Sequence, residues 1–313
     1  MQSGSKYTRS LLENYGDKLS DFVQQNGVSL DFDTAESWVI LSSIELSIKK
    51  KIESVGVPLK DWDISIYRGV LTGYNEAFII STEKRNEILG NCQSDEERER
   101  TAELIRPILR GRDIKRYGYD WAGLWLINTH NGIKGKLERI HIEDYPAVKA
   151  HLDQYWDKIS VRADKGDTPY NLRNCAYLDD FNMPKLVWGE ISDRSKFAFD
   201  VDGKYVPEAT TFLLVGKNVI SLYSFLNSSP AEWYFSKLGP RTGEGTIRWK
   251  KYTVEQIFAP KLSETQAANL FLILSSNKDK ATITNHWFYN FYKFSNEEIE
   301  YIEDYFQALI KNK

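Results

Sequence analysis

The hydrophobic period of this chain changes twice, and that change limits the fold more than any other feature. From Asp61 to about Tyr252 the apolar residues come in short runs, among them GLWLINTH, KLVWGEIS, KFAFDVDG and TTFLLVG, separated by Gly, Asn, Asp and Pro. That is the pattern of strands broken by turns. On either side the period is helical. Upstream, AESWVILSSIELSIKKKIESVG spaces Trp38, Leu41, Ile44, Ile48 and Ile52 along one face, with Lys49, Lys50 and Lys51 on a solvated face, and Gly56 and Pro58 as the stop. Downstream, SETQAANLFLILSS opens on a Ser263/Gln266 capping box and SNEEIEYIEDYFQALIKNK on Ser295/Glu298, with Ile299, Ile302, Phe306, Leu309 and Ile310 as its stripe. The expectation is an α+β fold: a mixed sheet with inserted helices over 61–252, an N-terminal helical segment over 1–60 and a C-terminal one over 253–313.

Two insertions within the β-like region carry a helical spacing. SDEERERTAELIRPILRG reads as a helical stretch punctuated by Pro107 and Gly111, and SLYSFLNSSPAEWYFSKLG as core-packing helix around a break at Pro230. The run IYRGVLTGYNEAFII, residues 66–80, reads as a hairpin. Gly69, Gly73 and Asn75 tolerate the turn, Thr72 and Glu76 are polar turn residues, and Tyr67, Val70, Ala77, Phe78 and Ile80 supply strand faces.

Composition removes several classes of function. A formal net charge of -3 and a pI of about 5.9 offer no whole-chain attraction to nucleic acid or to an anionic membrane, so any polyanion must be served locally. Cys92 and Cys175 are the only thiols, which excludes a disulfide framework and fits a reducing compartment. The opening MQSGSKYTRSLLENYGDK has no apolar signal segment, and no later run approaches the roughly 20 apolar residues of a membrane helix, so a cytoplasmic location is expected. No phosphate loop, dinucleotide fingerprint or nucleophile elbow is present. His141 and His151 lack further ligands at a metal spacing, and Asp179/Asp180 sit in a turn-like stretch. An adenine-methyltransferase Asn-Pro-Pro-aromatic run is missing. No catalytic residue and no metal ligand is assigned.

Two windows depart from the neutral average. RPILRGRDIKRYGY carries Arg106, Arg110, Arg112, Lys115 and Arg116 against Asp113, and KLGPRTGEGTIRWKKY carries Lys237, Arg241, Arg248, Lys250 and Lys251 against Glu244. Such cations neutralise phosphates, and glycines beside them let backbone amides approach an anion. A third stretch, VRADKGDTPYNLRN, mixes Arg162, Lys165, Asn171 and Arg173 with acids, a donor and acceptor mixture suited to base edges. Each window also has a plain alternative: its cations pair with nearby acids, and Trp249 and Tyr252 are core aromatics.

Taken in order, IYRGVLTGYNEAFII, LIRPILRGRDIKRYG, VRADKGDTPYNLR, FNMPKLVWGEIS, TTFLLVG with SLYSFLNSSPAEWYF, and GPRTGEGTIRWKKYTVEQI resemble the TaqI-like C-terminal specificity domain over about Ile44 to Pro260. The GxxTGxNEAF and RGRDIKRY strings carry the resemblance most specifically. It implies the target recognition domain of an adenine-N6 DNA methyltransferase or a fused type II restriction-modification enzyme. Such a domain clamps double-stranded DNA opposite a methyltransferase domain that flips the adenine. The cofactor expected there is S-adenosylmethionine, bound outside this chain, with none bound within it. On this reading Arg110, Arg112, Lys115, Arg116, Arg241, Arg248, Lys250 and Lys251 hold phosphates, and residue chemistry alone nominates Arg162, Lys165, Asn171 and Arg173 as base readers. The TGYNEAF turn, with Gly69, Thr72, Gly73, Asn75, Glu76 and Phe78, shapes the start of the domain. A fused nuclease and a protein-interaction module assembling with a separate modification subunit stay open. The nuclease signature is incomplete, because the residue two after Glu190 is Ser192 rather than Lys.

Overall fold

The structure, a computed structural model, describes residues 41–238 and 246–311. The chain divides into two compact units, residues 1–50 and 51–313. Of the first unit only 41–50 are described, where the helix Ser43–Val55 begins. Trp38 lies outside the described residues.

The second unit is built on two four-stranded sheets, as an α+β fold. Its strands in chain order are β1 (Gly56–Pro58), β2 (Ile64–Arg68), β3 (Ile79–Ser81), β4 (Ile105–Leu109), β5 (Ile114–Lys115), β6 (Gly118–Tyr119), β7 (Leu124–Ile127), β8 (Lys185–Gly189), β9 (Ile191–Ser192), β10 (Ala198–Asp200), β11 (Val206–Pro207), β12 (Thr211–Gly216), β13 (Ile247–Arg248) and β14 (Phe258–Pro260). One sheet runs β10-β8-β12-β2 and is antiparallel throughout; the other runs β11-β4-β7-β3, with β11 parallel to β4 and the remaining pairs antiparallel. All four β-like runs read from the sequence contribute strands.

The 66–80 run is not a hairpin. β2 and β3 belong to different sheets, and between them the chain closes a single helical turn, Asn75–Phe78. Two glycines make the crossing possible. Gly69 lies so close to the 207–208 backbone that a Cβ there would sit 2.2 Å from the Glu208 carbonyl oxygen, while Gly73 turns at φ 71°. Thr72, buried, closes the turn by donating to Asn75 Oδ1 at 2.5 Å. The two apolar halves of the run thus feed two sheets rather than pairing with each other.

Pro107 is likewise not a helix punctuation. The helix Asp95–Leu104, capped by Ser94, stops before it, and Pro107 sits in β4 opposite Trp125. The aromatic helices agree with the sequence reading: Val219–Leu226 is followed by Ser229–Leu238, which starts around Pro230, and Tyr223, Phe225, Trp233, Tyr234 and Phe235 are all buried. Both downstream capping boxes form. β1 pairs with β14, and the helix Lys280–Phe291 fills the interval between the two capped helices.

Between β8 and the edge strand β10, Lys185 is fully buried opposite Asp200, their charged atoms 2.6 Å apart. Asp200 also accepts from the backbone N–H groups of Lys204 and Tyr205. Among the described residues no helix is long and apolar enough to cross a membrane.

Candidate nucleic-acid interface

The two basic windows, more than a hundred residues apart in the chain, meet at the end of β8. Glu190 follows β8 and is pinned through its backbone, donating to the Thr210 carbonyl at 2.9 Å and accepting from Trp249 N–H at 2.8 Å. The second contact, with the pairing of β13 and β9, brings Arg248 alongside. Trp249 is the anchor: it is buried, stacks on Phe235 at 3.9 Å, and its carbonyl accepts from the Trp188 indole at 2.8 Å. From the other side, Gly111 faces Gly189 closely and sets the 111–113 turn against β8. The result is an open groove of about 750 Å³ lined by Arg112, Lys115, Glu190, Lys196, Thr210 and Arg248 among others.

Arg112, Lys115 and Arg248 are exposed at this groove. Lys250 is half-buried and Lys251 exposed at the start of the short helix Lys251–Val254. Tyr252 is exposed rather than a core aromatic, whereas Trp249 is core. Arg241 lies outside the described residues.

Arg110 and Arg116 correct the sequence reading, because both are committed internally. Arg110 forks onto Asp113, with bonds of 3.0 and 2.7 Å, and Asp113 also caps the Arg110 backbone N–H at 2.9 Å. Burial works to raise the Asp113 carboxyl, but these bonds from Arg110 outweigh it and hold the group below the usual aspartate range. The pair fixes the turn from which Arg112 projects. Arg116 donates to the Asn227 carbonyl through Nε at 2.8 Å and lies 3.7 Å from the buried Glu232.

The 162–174 loop divides in the same way. Arg162 is buried, and its guanidinium donates to the carbonyls of Thr72, Asp164, Pro169 and Asn171. Desolvation pushes its pKa down to about 10. Asn171 is buried too, donating to the His130 and Ile140 carbonyls and accepting from Thr168. Neither side chain has a face left for a base edge, so both leave the candidate reading set. Lys165 and Arg173 are exposed: Lys165 donates to the Ser160 carbonyl at 2.6 Å, and Arg173 makes only a surface pair with Asp164 at 3.1 Å.

In the 66–80 motif, Thr72 and Phe78 are buried and Gly69 and Gly73 serve the crossing, so these four are structural. Asn75 and Glu76 are exposed, with Glu76 accepting from the Tyr74 hydroxyl at 2.6 Å.

Sequence reasoning missed Arg68. It ends β2 with its side chain 58% exposed and 3.8 Å from Glu190, which lines the groove. Its backbone carbonyl accepts from Tyr177, whose own surroundings include the charge of Arg173. Arg68 therefore stands at the edge of the groove, with its backbone tied to Tyr177. A lone arginine at the end of a strand run carries no sequence signal of this.

His151 is buried with Nε2 3.0 Å from the Ala77 carbonyl oxygen, and His141 pairs with Glu138. Among the described residues no three His, Cys, Asp or Glu side chains are grouped as a metal ion requires.

Residues 106–258, which contain the groove, both basic windows and the 162–174 loop, match the TaqI-like C-terminal specificity domain. The match covers just under half of the chain. The specificity-domain match begins after the TGYNEAF turn and after Arg68, so it is shorter than the stretch over which the motifs run. Among solved structures, the chain is similar to the Type IIL restriction-modification enzyme MmeI, solved in complex with DNA, with 14% identity and a TM-score of 0.54 over 81% of this chain and 36% of that one. It is also similar to the type IIG restriction endonuclease BpuSI, with 13% identity and a TM-score of 0.50 over 83% of this chain and 32% of that one. At these identities the likeness is one of fold. The chain spans about a third of the length of each enzyme. Among curated proteins there is no match.

Proposed function

We propose that this chain is the DNA sequence-recognition module of a restriction-modification enzyme, holding and reading duplex DNA while a methyltransferase domain or subunit outside this sequence transfers a methyl group from S-adenosylmethionine to adenine. The observation that carries this reading is the convergence of two distant basic windows on one groove inside a specificity domain. A chain of net charge -3 attracts a polyanion only where cations are gathered, and Arg112, Lys115 and Arg248 are gathered there. The fold is shared with an enzyme solved in complex with DNA, which agrees with the same partner. In this scheme the groove cations, with Lys250 and Lys251, position the backbone, and the exposed members of the 162–174 loop, Lys165 and Arg173, face base edges. The chain contributes no catalytic residue of its own.

The test is a mobility-shift series on the purified chain. Binding to duplex DNA should be weak and should fall as salt rises, because phosphate contacts dominate and the opposing half of the clamp is missing. Incubation with magnesium or S-adenosylmethionine should leave the DNA uncut and unmethylated. Absence of binding at low salt, or affinity indifferent to salt, would sink the proposal; label transferred to DNA by the chain alone would sink its non-catalytic part.

A further inference from the structure

Phosphate binding does not account for two neighbours at the groove. Glu190 brings a carboxylate, beside an Asp193 that pairs with Lys196, to a surface whose remaining cations suit an anion, and there it repels phosphate. Arg68 beside it is exposed yet held, which is unusual for a surface arginine. Its Nε donates to the Ala209 carbonyl at 2.6 Å, its Nη2 lies 3.8 Å from Glu190 Oε2, and its backbone is fixed by the Tyr177 hydroxyl at 3.1 Å. The preceding residue, Tyr67, stacks on Tyr177 with ring centroids 4.2 Å apart and planes within 6°. Among the described residues Nη1 has no protein partner, and Nη2 is attracted by Glu190 at a distance too long for a hydrogen bond.

A guanidinium anchored through Nε presents its Nη1 and Nη2 hydrogens outward as a fork. That fork takes two adjacent acceptors at once, and because it is held in advance, little rotamer entropy is lost on binding. In the major groove, the pair of acceptors it fits is O6 and N7 of guanine. Position agrees with chemistry. Arg68 reaches Glu190, which shares the groove with Arg112, Lys115 and Arg248, so phosphate contacts lie beside it. The carboxylate keeps phosphate away from that position and holds the fork in orientation.

We propose that Arg68 is a specificity-determining residue that reads a guanine through O6 and N7, with Glu190 as its positioning residue. This rests on the DNA-recognition reading above. The experiment uses this chain within the parent enzyme, where the opposing domain restores specific binding, with duplexes enriched from a randomised pool. Interference is then mapped after methylation of guanine N7 by dimethyl sulfate and, separately, after ethylation of phosphates. Wild type should show one guanine whose N7 methylation, or replacement by 7-deazaguanine, blocks binding. Arg68→Ala should erase that signal and reduce preference for that base pair by on the order of 10- to 100-fold, with the phosphate pattern unchanged. Arg68→Met keeps the side-chain stem and should do the same, which covers the case in which the alanine variant folds poorly. Glu190→Gln should weaken the guanine signal while every phosphate signal stays. The proposal is overturned if the guanine signal persists in both Arg68 variants, if wild type shows no such guanine, or if Arg68→Ala weakens all duplexes alike and lowers the salt slope. A wild-type chain that binds no duplex at all overturns the broader reading first, and this one with it.

Discussion

Arg162 lies over the ring of Phe78, its guanidinium carbon 4.4 Å from the centroid, so the most basic-looking residue of the 162–174 loop is the strut that ties this loop to the 66–80 turn. The same guanidinium donates to Thr72 on one side and to Asp164, Pro169 and Asn171 on the other. Hydrogen bonds from a charged donor to carbonyls are among the stronger individual contributions to stability, and removing the donor takes that partner from all four carbonyls, the one on Asn171 keeping only the Gly166 N–H.

Arg162→Met should therefore lower the unfolding free energy by on the order of 3 kcal/mol. Asn171→Ala should cost about 1 to 3 kcal/mol for the same reason. DNA affinity per folded molecule should barely change in either. Urea titration beside binding at a temperature where both variants are folded checks this; unchanged midpoints with lost discrimination would return both residues to the reading set.

Much of the fold was legible because period and capping are local. The β-like runs became strands, and Ser263/Gln266 and Ser295/Glu298 became helix starts. What local pattern could not show is which sheet a strand joins. The 66–80 run looks like a hairpin until Gly69 is seen pressed against the 207–208 backbone, a contact made by residues about 140 positions away. The site was legible to the level of windows. Within them, Arg112 and Arg110 are the same residue type two positions apart, yet one is exposed and the other forked onto Asp113, and only tertiary placement separates them.

The Arg110–Asp113 pair gives a pH dependence with a definite sign. The folded state holds the Asp113 carboxyl below its ordinary value, so the unfolded chain takes up that proton first. The stabilisation is fully present above the unfolded pKa of about 4 and is lost as pH falls through the lower folded value. Asp113→Asn should cost about 1 to 3 kcal/mol at neutral pH, and its deficit relative to wild type should narrow as pH drops below about 4. Thermal midpoints across pH 2 to 7 measure it; a deficit independent of pH would mean the carboxylate charge contributes nothing.

Gly69→Ala and Gly90→Ala form a matched pair. A Cβ at Gly69 meets backbone oxygen at 2.2 Å, whereas one at Gly90, the last residue of the helix Thr82–Gly90, meets nothing within 4 Å. The first should abolish soluble folded protein or cost several kcal/mol, on the order of 3 or more, because neither backbone segment can give way. The second should be neutral or stabilising by up to about 1 kcal/mol through the unfolded chain. Similar melting curves for the two variants would contradict the crossing geometry.

Holding and reading come apart in the parent enzyme, where the opposing domain restores specific binding. Arg112→Ala and Arg248→Ala remove exposed cations from the groove. If each faces a phosphate, binding to every duplex should weaken alike, and the slope of log affinity against log salt should shrink by about one unit per residue. Discrimination between cognate and mismatched sites should survive, since a phosphate is the same beside every base. Arg173→Ala should behave differently. Its partner Asp164 is a surface carboxylate, so the existing pair is worth little and gives way to a better acceptor. A lost base-edge contact should cost on the order of 1 to 3 kcal/mol on the cognate site and less elsewhere, shrinking the discrimination ratio. If Arg173 only pairs with Asp164, discrimination stays intact and stability moves by no more than about 1 kcal/mol. Affinities on cognate and single-mismatch duplexes, taken with the melting temperature of each variant, decide between these outcomes: equal losses on all sequences for Arg173→Ala would assign the 162–174 loop to the backbone as well.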